Sequence, residues 1–239
     1  MRYYYAEHQA AYQRLEREGL TQWNDLFDED RTDDFEAFPN RPFLERVLPD
    51  LPPSADVLEY GCGTGAAACF LAARGFHVDA IDLIPEAITL ARRFARERGV
   101  QVDFSVQDVC AMPPGTKQYD VVLDSYCLQS IVTDADRSSL FTAVRDRLKP
   151  TGRYILSTAV YDPDRVYEED FRYDAGTGIC YQKTSTPAPD AVHLDNTWHL
   201  PHRRHLHPEA LRAELADNGL QVTFQSGGDV VARLGYQAR

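Results

Sequence analysis

The residues best placed to do chemistry lie in Val57-Leu58-Glu59-Tyr60-Gly61-Cys62-Gly63-Thr64-Gly65, which reads as a β-strand running straight into a glycine turn and then a helix. Glycine suits such a turn because a side chain would collide with a ligand lying across the backbone, and because the turn must reach unusual φ values. Continued to Ala66, the same residues satisfy G-x-G-x-x-A, so a nicotinamide or flavin dinucleotide site stands beside a nucleoside site. Three acids separate the two. Glu59, just before the turn, would repel a pyrophosphate and hold the ammonium of an amino acid moiety, directly or through water. Asp82 can accept both hydroxyls of a ribose, and Asp108 can accept from an adenine amino group with Val109 packed on the ring. Leu83, directly after Asp82, is counted with the same ligand-lining set.

The elements that must position these residues follow a β-α-β rhythm from Ala55 onward. Strands are expected at Asp56 to Tyr60, His77 to Asp82, Val102 to Asp108, Tyr119 to Asp124 and Arg153 to Val160. Helices are expected from Gly65 to Arg74, from Pro85 to Gly99 with Ile88, Ala91, Phe94 and Ala95 on one face, from Ala135 to Lys149, and from Pro208 to Asn218. Leu220 to Gln225 and Val230 to Tyr236, around Ser226-Gly227-Gly228-Asp229, read as a terminal hairpin. The expected fold is an α/β, Rossmann-like, doubly wound seven-stranded sheet. It is mostly parallel with an antiparallel C-terminal hairpin and has helices on both faces. One domain is expected over 1–239: a helical cap (1–50), a ligand-binding core (55–160), a substrate-side insertion with little periodicity (161–207), and a C-terminal helix and hairpin (208–239).

The order of these motifs resembles the class I S-adenosylmethionine-dependent methyltransferases over residues 55 to 160: E-x-G-C-G-T-G, Ile81-Asp82, Gln107-Asp108-Val109, and Leu148-Lys149-Pro150-Thr151-Gly152. The resemblance implies that Gly61, Gly63 and Gly65 line the cofactor S-adenosylmethionine, that Asp82 binds ribose and that Asp108 reaches adenine. Thr151 departs from the pattern, standing where glycine is common. Leu20 to Phe27 is more loosely similar to the N-terminal segment of thiopurine-type and related small-molecule methyltransferases, where an aromatic covers the cofactor. Trp23 is the candidate, since a sulfonium over its face would gain about 0.5 to 2 kcal/mol. Plain packing of Trp23 is the competing reading.

Methyl transfer needs alignment and exclusion of water rather than a metal. The fourth strand delivers Ser125, Tyr126 and Gln129 to the sheet's C-terminal edge, where they are expected to face cofactor or substrate. Residues 192–207 hold five of the seven histidines. There His199 or His202, with Tyr126, would serve the catalytic step, and Arg203 or Arg204 would fix an anionic group on the acceptor; a solvated loop is the plainer alternative. The five cysteines form no C-x-x-C pair and read as reduced packing residues, and Asp28 to Asp34 reads as a solvated acidic run.

Composition narrows the partners. With 37 acidic against 25 basic residues the net charge is -12, which opposes a nonspecific grip on nucleic acid. No apolar segment suggests a signal peptide or membrane span, so a cytoplasmic monomer or homodimer acting on a small molecule is expected. Two other classes compete: an NAD(P)-dependent oxidoreductase, disfavoured by Glu59, the hairpin and the lack of a S-x(n)-Y-x-x-x-K set, and a non-catalytic cofactor-binding module.

Overall fold

Two helical segments, α1 (Tyr5–Glu18) and α2 (Arg41–Val47), precede an alternation of β1 (Asp56–Tyr60), α3 (Ala66–Ala72), β2 (His77–Asp82), α4 (Pro85–Glu97), β3 (Asp103–Val106), β4 (Tyr119–Ser125), α5 (Asp134–Arg147) and β5 (Leu148–Ser157). After β5 come β6 (Phe171–Asp174), β7 (Ile179–Thr184), β8 (Val192–Leu194) and β9 (Thr197–Arg204), then α6 (Pro208–Asp217), β10 (Leu220–Ser226) and β11 (Asp229–Leu234). This computed structural model describes residues 2–27, 35–52, 54–115, 117–167, 169–185, 188 and 190–235. The acidic run Asp28 to Asp34 and Tyr236 lie outside the described residues.

The main sheet has seven strands in the order β10-β11-β5-β4-β1-β2-β3. β1 to β5 pair in parallel, and β11 runs antiparallel to both β5 and β10. Because side chains alternate along a strand, each strand feeds two apolar layers. Val57, Val121, Leu123 and Ile155 pack with α2, α3 and α4 on one face, while Leu58, Tyr60, Val122 and Leu156 pack with α5 and α6 on the other. The helices start where local chemistry allows. Pro85 opens α4 with its φ already helical, and the Thr133 hydroxyl accepts the Asp136 amide at the head of α5.

Two expectations need correction. Leu148 to Gly152, expected to precede the fifth strand, already belongs to β5: Tyr119 pairs Leu148 and Val121 pairs Arg153, so the intervening residues bulge outward. Residues 161–207, read as irregular, build a second, four-stranded antiparallel sheet ordered β6-β7-β9-β8. Its strands are short and polar, with Cys180, His199 and Pro201 turned inward, so the alternation is visible only once the pairing is known.

One buried cation ties the lower layer to the loop after β4. Arg137 on α5 is 3% exposed and donates to Leu128 O and Ile131 O (3.0 and 2.8 Å) and to both Glu214 carboxylate oxygens on α6 (2.6 and 2.5 Å). Arg137→Ala would leave Glu214 and two carbonyls without their donor. The expected cost is about 3 to 5 kcal/mol of unfolding free energy, read by urea denaturation; a loss below about 1 kcal/mol would contradict this role.

Candidate functional site

In an open parallel sheet the crevice forms where neighbouring strands send their connections to opposite faces. Here β1 and β4 are adjacent, with α3 following β1 on one face and α5 following β4 on the other, so the crevice opens between their C-terminal ends. A cavity of about 480 Å³ occupies it, floored by the turn after β1 and the ends of β2 and β4 and roofed by α1. Tyr4, at the head of α1, and His8 and Tyr12 within it follow an i, i+4, i+8 spacing and turn one helical face to this cavity.

The glycine turn is shaped by close approach. Gly61 has φ +60°, and a Cβ there would lie 2.3 Å from Cys127 Sγ. Gly63 has φ +55°, a Cβ on it would meet the Tyr12 hydroxyl at 3.0 Å, and its N–H donates to Asp82 Oδ2 at 2.9 Å. Gly65 does not border the cavity. It precedes α3, and a Cβ would press on the Phe104 ring at 2.9 Å, so it serves helix packing against α4 and β3.

Buried carboxyl groups line and underlie the floor. Glu59 is 1% exposed; it accepts from the Ala68 amide and from the Ser125 hydroxyl, which itself accepts from Asn40 Nδ2 at 3.0 Å, while Glu59 Oε2 has no hydrogen-bond partner among the described residues. Burial, reinforced by Asp124 and Asp82, pushes its carboxyl up to about 8. Asp82 accepts Ile84 N–H and Gly63 N–H, both at 2.9 Å, and burial outweighs these donors to raise it to about 6. Asp124 beneath accepts the Tyr60 hydroxyl at 2.5 Å and the Cys127 and Leu128 amides at 2.6 and 2.9 Å; burial raises it to about 7. Asp108 caps the turn after β3 through Cys110 N–H at 2.9 Å and carries an ion pair to Arg2 at 2.7 Å.

Of the residues singled out in the sequence, Trp23, Glu59, Gly61, Gly63, Asp82, Leu83, Asp108, Val109, Ser125, Tyr126, Gln129 and Arg203 border this one cavity. Tyr126 holds φ +65°, an outlier for a bulky side chain, at the point where β4 leaves the sheet. Gln129 Oε1 accepts the Ala159 amide at 2.9 Å, tying the ends of β4 and β5. His199, His202 and Arg204 lie outside the lining. His199 is buried in β9 with Nδ1 3.1 Å from Thr197 O, His202 sits 3.2 Å from Glu7, and Arg204 pairs with Asp134 at 2.5 Å. The cause is a bulge: Pro201 pairs Tyr181 and Arg203 pairs Cys180, leaving His202 as the extra residue and turning Arg203 alone toward the cavity. Arg203 is itself ion-paired to Glu7 at 2.8 Å. Tyr4, His8, Tyr12 and Asn40 were not anticipated; the helical spacing of the first three was their available signal.

Residues 57–152 match the family model described as "Methyltransferase domain". The ubiquinone biosynthesis O-methyltransferase of Xylella fastidiosa (strain M23) is 38% identical over 107 residues, covering 44% of this chain and 42% of that protein. Its counterpart in Xanthomonas axonopodis pv. citri (strain 306) is 39% identical over 119 residues, covering 48% of each. The match therefore spans less than half the length of these curated relatives. Among solved structures, an S-adenosylmethionine-dependent methyltransferase from Clostridium acetobutylicum ATCC 824 superposes with a TM-score of 0.62 at 18% identity, covering 94% of this chain and 99% of that one. Burkholderia thailandensis 1,6-didemethyltoxoflavin-N1-methyltransferase, solved with 1,6-didemethyltoxoflavin and S-adenosylhomocysteine, gives 0.60 at 21% identity, covering 97% and 89%. Strand order, motif positions and matched sequence agree over residues 57–152, the stretch that is similar to a methyltransferase domain, and the surrounding fold is shared with the solved methyltransferases.

Proposed function

We propose that this chain transfers the methyl group of S-adenosylmethionine to an oxygen, nitrogen or carboxylate of a small, anionic metabolite. The observation that carries the reading is the buried acidic floor beneath a glycine turn. Desolvated carboxylates are costly until a cation or a hydrogen-bond donor meets them, and a sulfonium amino acid nucleoside brings both. Its ribose hydroxyls would meet Asp82, its ammonium the Glu59 side of the floor, and its adenine Asp108 and Val109. A pyrophosphate would instead face these acids with added negative charge. Trp23 and Tyr12 provide aromatic faces near the glycine turn, and Arg203 gives the opposite wall a positive charge suited to an anionic acceptor. The names of the curated relatives favour an oxygen acceptor. The chain's own part is to bind, to align nucleophile with methyl, and to exclude water; α1 closing the roof supplies the last. Among the described residues no helix is long and apolar enough to cross a membrane.

The buried acids of the floor fix the sign of two measurements. With its carboxyl near 8, Glu59 is mostly protonated in the free protein at pH 7, and an ammonium beside it favours the ionised form. Titration calorimetry of S-adenosylmethionine in buffers of different ionisation enthalpy should then show release of up to about one proton at pH 7, and Glu59→Gln should abolish that release. Asp82→Ala should weaken binding by about 1 to 3 kcal/mol. Heat only from NADH, with none from S-adenosylmethionine, would reverse the reading.

The free protein's stability should also depend on pH. Because the Glu59 carboxyl is raised on folding, the native state holds more protons than the unfolded chain between about pH 5 and pH 8, and stability falls as pH rises through that window. The raised carboxyls of Asp82 and Asp124 act in the same direction. Glu59→Gln should therefore flatten the decline in melting temperature between pH 5 and pH 8, and a variant declining as steeply as the unaltered protein would show that Glu59 is not the buried titrating group.

A further inference from the structure

We infer that His8 on α1 meets the methyl acceptor itself, taking the proton from a hydroxyl on an aromatic ring as that oxygen receives the methyl group. The inference rests on the methyl-transfer reading above and names the acceptor class and the base within it.

Among the described residues bordering the cavity, His8 is the one imidazole. Its ring is held between Tyr4 and Trp23, with centroids 5.4 and 4.9 Å away. Its Nε2 is buried and has no hydrogen-bond partner among the described residues. A buried polar atom left without a partner is costly, so packing alone gives no reason to keep imidazole here in place of an apolar ring. The candidate histidines of β9 are engaged elsewhere, His199 at Thr197 O and His202 at Glu7, and the buried His205 after β9 meets Arg165. The groups facing His8 are Tyr4 and Glu7 from its own segment, Trp23 from the following turn, and His202 and Arg203 from β9. Burial, with Arg203 and His202 adding to it against Glu7, lowers the imidazole to about 4, so it is neutral near pH 7 and its lone pair is available.

The surroundings select the acceptor. Tyr4 and His8 border the cavity with aromatic rings suited to a planar group, and Arg203 favours negative charge developing on it. A weak base suits a ring hydroxyl, which ionises near pH 10 and becomes far more acidic once its oxygen begins to bond carbon. In the step, an oxygen lone pair forms the O–CH₃ bond, and the C–S bonding pair returns to sulfur, leaving a neutral thioether. The O–H proton passes to His8 Nε2, and the imidazolium then loses it to solvent. The net change is a hydroxyl and a sulfonium converted to a methyl ether, a thioether and a proton.

The test uses the full chain, S-adenosylmethionine and 3,4-dihydroxybenzoate, catechol and phenol as probe acceptors, with His8→Gln and His8→Asn. Calorimetry with S-adenosylmethionine comes first: no binding by the unaltered chain would remove the parent reading and this inference together. With binding intact and within about threefold in the variants, methylation of at least one probe should fall about 10²- to 10⁴-fold at pH 6.5 in both variants. The deficit should shrink as pH rises toward the ionisation of the probe, a rescue that a merely structural role would not give. In the unaltered protein saturated with S-adenosylhomocysteine, adding the probe should shift the His8 ring nitrogens in a two-bond ¹H–¹⁵N spectrum. This readout holds even if the variants fold poorly. Cofactor binding without methylation of any probe, full activity of both variants at pH 6.5, or unmoved His8 resonances would each overturn the assignment.

Discussion

Everything in this site answers to one electrostatic constraint: acidic side chains withdrawn from bulk water. Glu59 and Asp124 sit at 1% and 0% exposure on neighbouring central strands, with Asp82 close by at the end of β2. The protein supplies backbone donors to all three and hydroxyls to Glu59 and Asp124, yet burial still dominates and their carboxyls stay raised. Such a floor is poorly matched to phosphate and well matched to a ligand bearing positive charge and hydroxyl donors. The glycine turn follows from the same logic, since Gly61 and Gly63 let Cys127 and Tyr12 approach the backbone where a ligand must also fit.

The roof is built to hold against that floor. Tyr4, His8 and Tyr12 turn one face downward, while residues flanking that face fasten α1 to both sheets. Arg2 pairs with Asp108 and Asp136, Tyr3 hydrogen-bonds Ser130 O and the Val132 amide, and Glu7 binds Arg203 and His202 on β9. Gln9 and Gln13 reach Glu86 at the head of α4. The second sheet thus contributes to the site chiefly through β9, by anchoring the roof and presenting Arg203. The strap from Arg2 to Glu7 thus holds the roof in place over the cavity.

What could be read from the sequence follows the range of the interactions. β1, β2 and α4 begin where alternation, helical periodicity and Pro85 place them, because those signals are local. The floor acids and the glycine turn were legible for the same reason: spacing along a strand-turn-helix unit fixes their geometry. The second sheet was hidden because its strands are short and polar: β6–β7 and β8–β9 are local hairpins without an apolar alternation to mark them, and only the β7–β9 pairing, such as Ile179 with Arg204, joins the two. The bulge at His202 decides which histidine or arginine faces inward, and no local pattern announces it. His8 escaped notice among more conspicuous histidines, although its spacing from Tyr4 and Tyr12 marks one helical face. Its role appears only once Trp23 and β9 are packed around it.

The most direct trial of the account is a crystal structure of the chain grown with S-adenosylhomocysteine. The account predicts the nucleoside lying across Gly61 and Gly63, its ribose hydroxyls on Asp82, its adenine edge at Asp108 over Val109, and its amino group on the Glu59 side of the floor. Adenosine bound anywhere else, or a crevice that takes only a pyrophosphate-bearing dinucleotide, would contradict it.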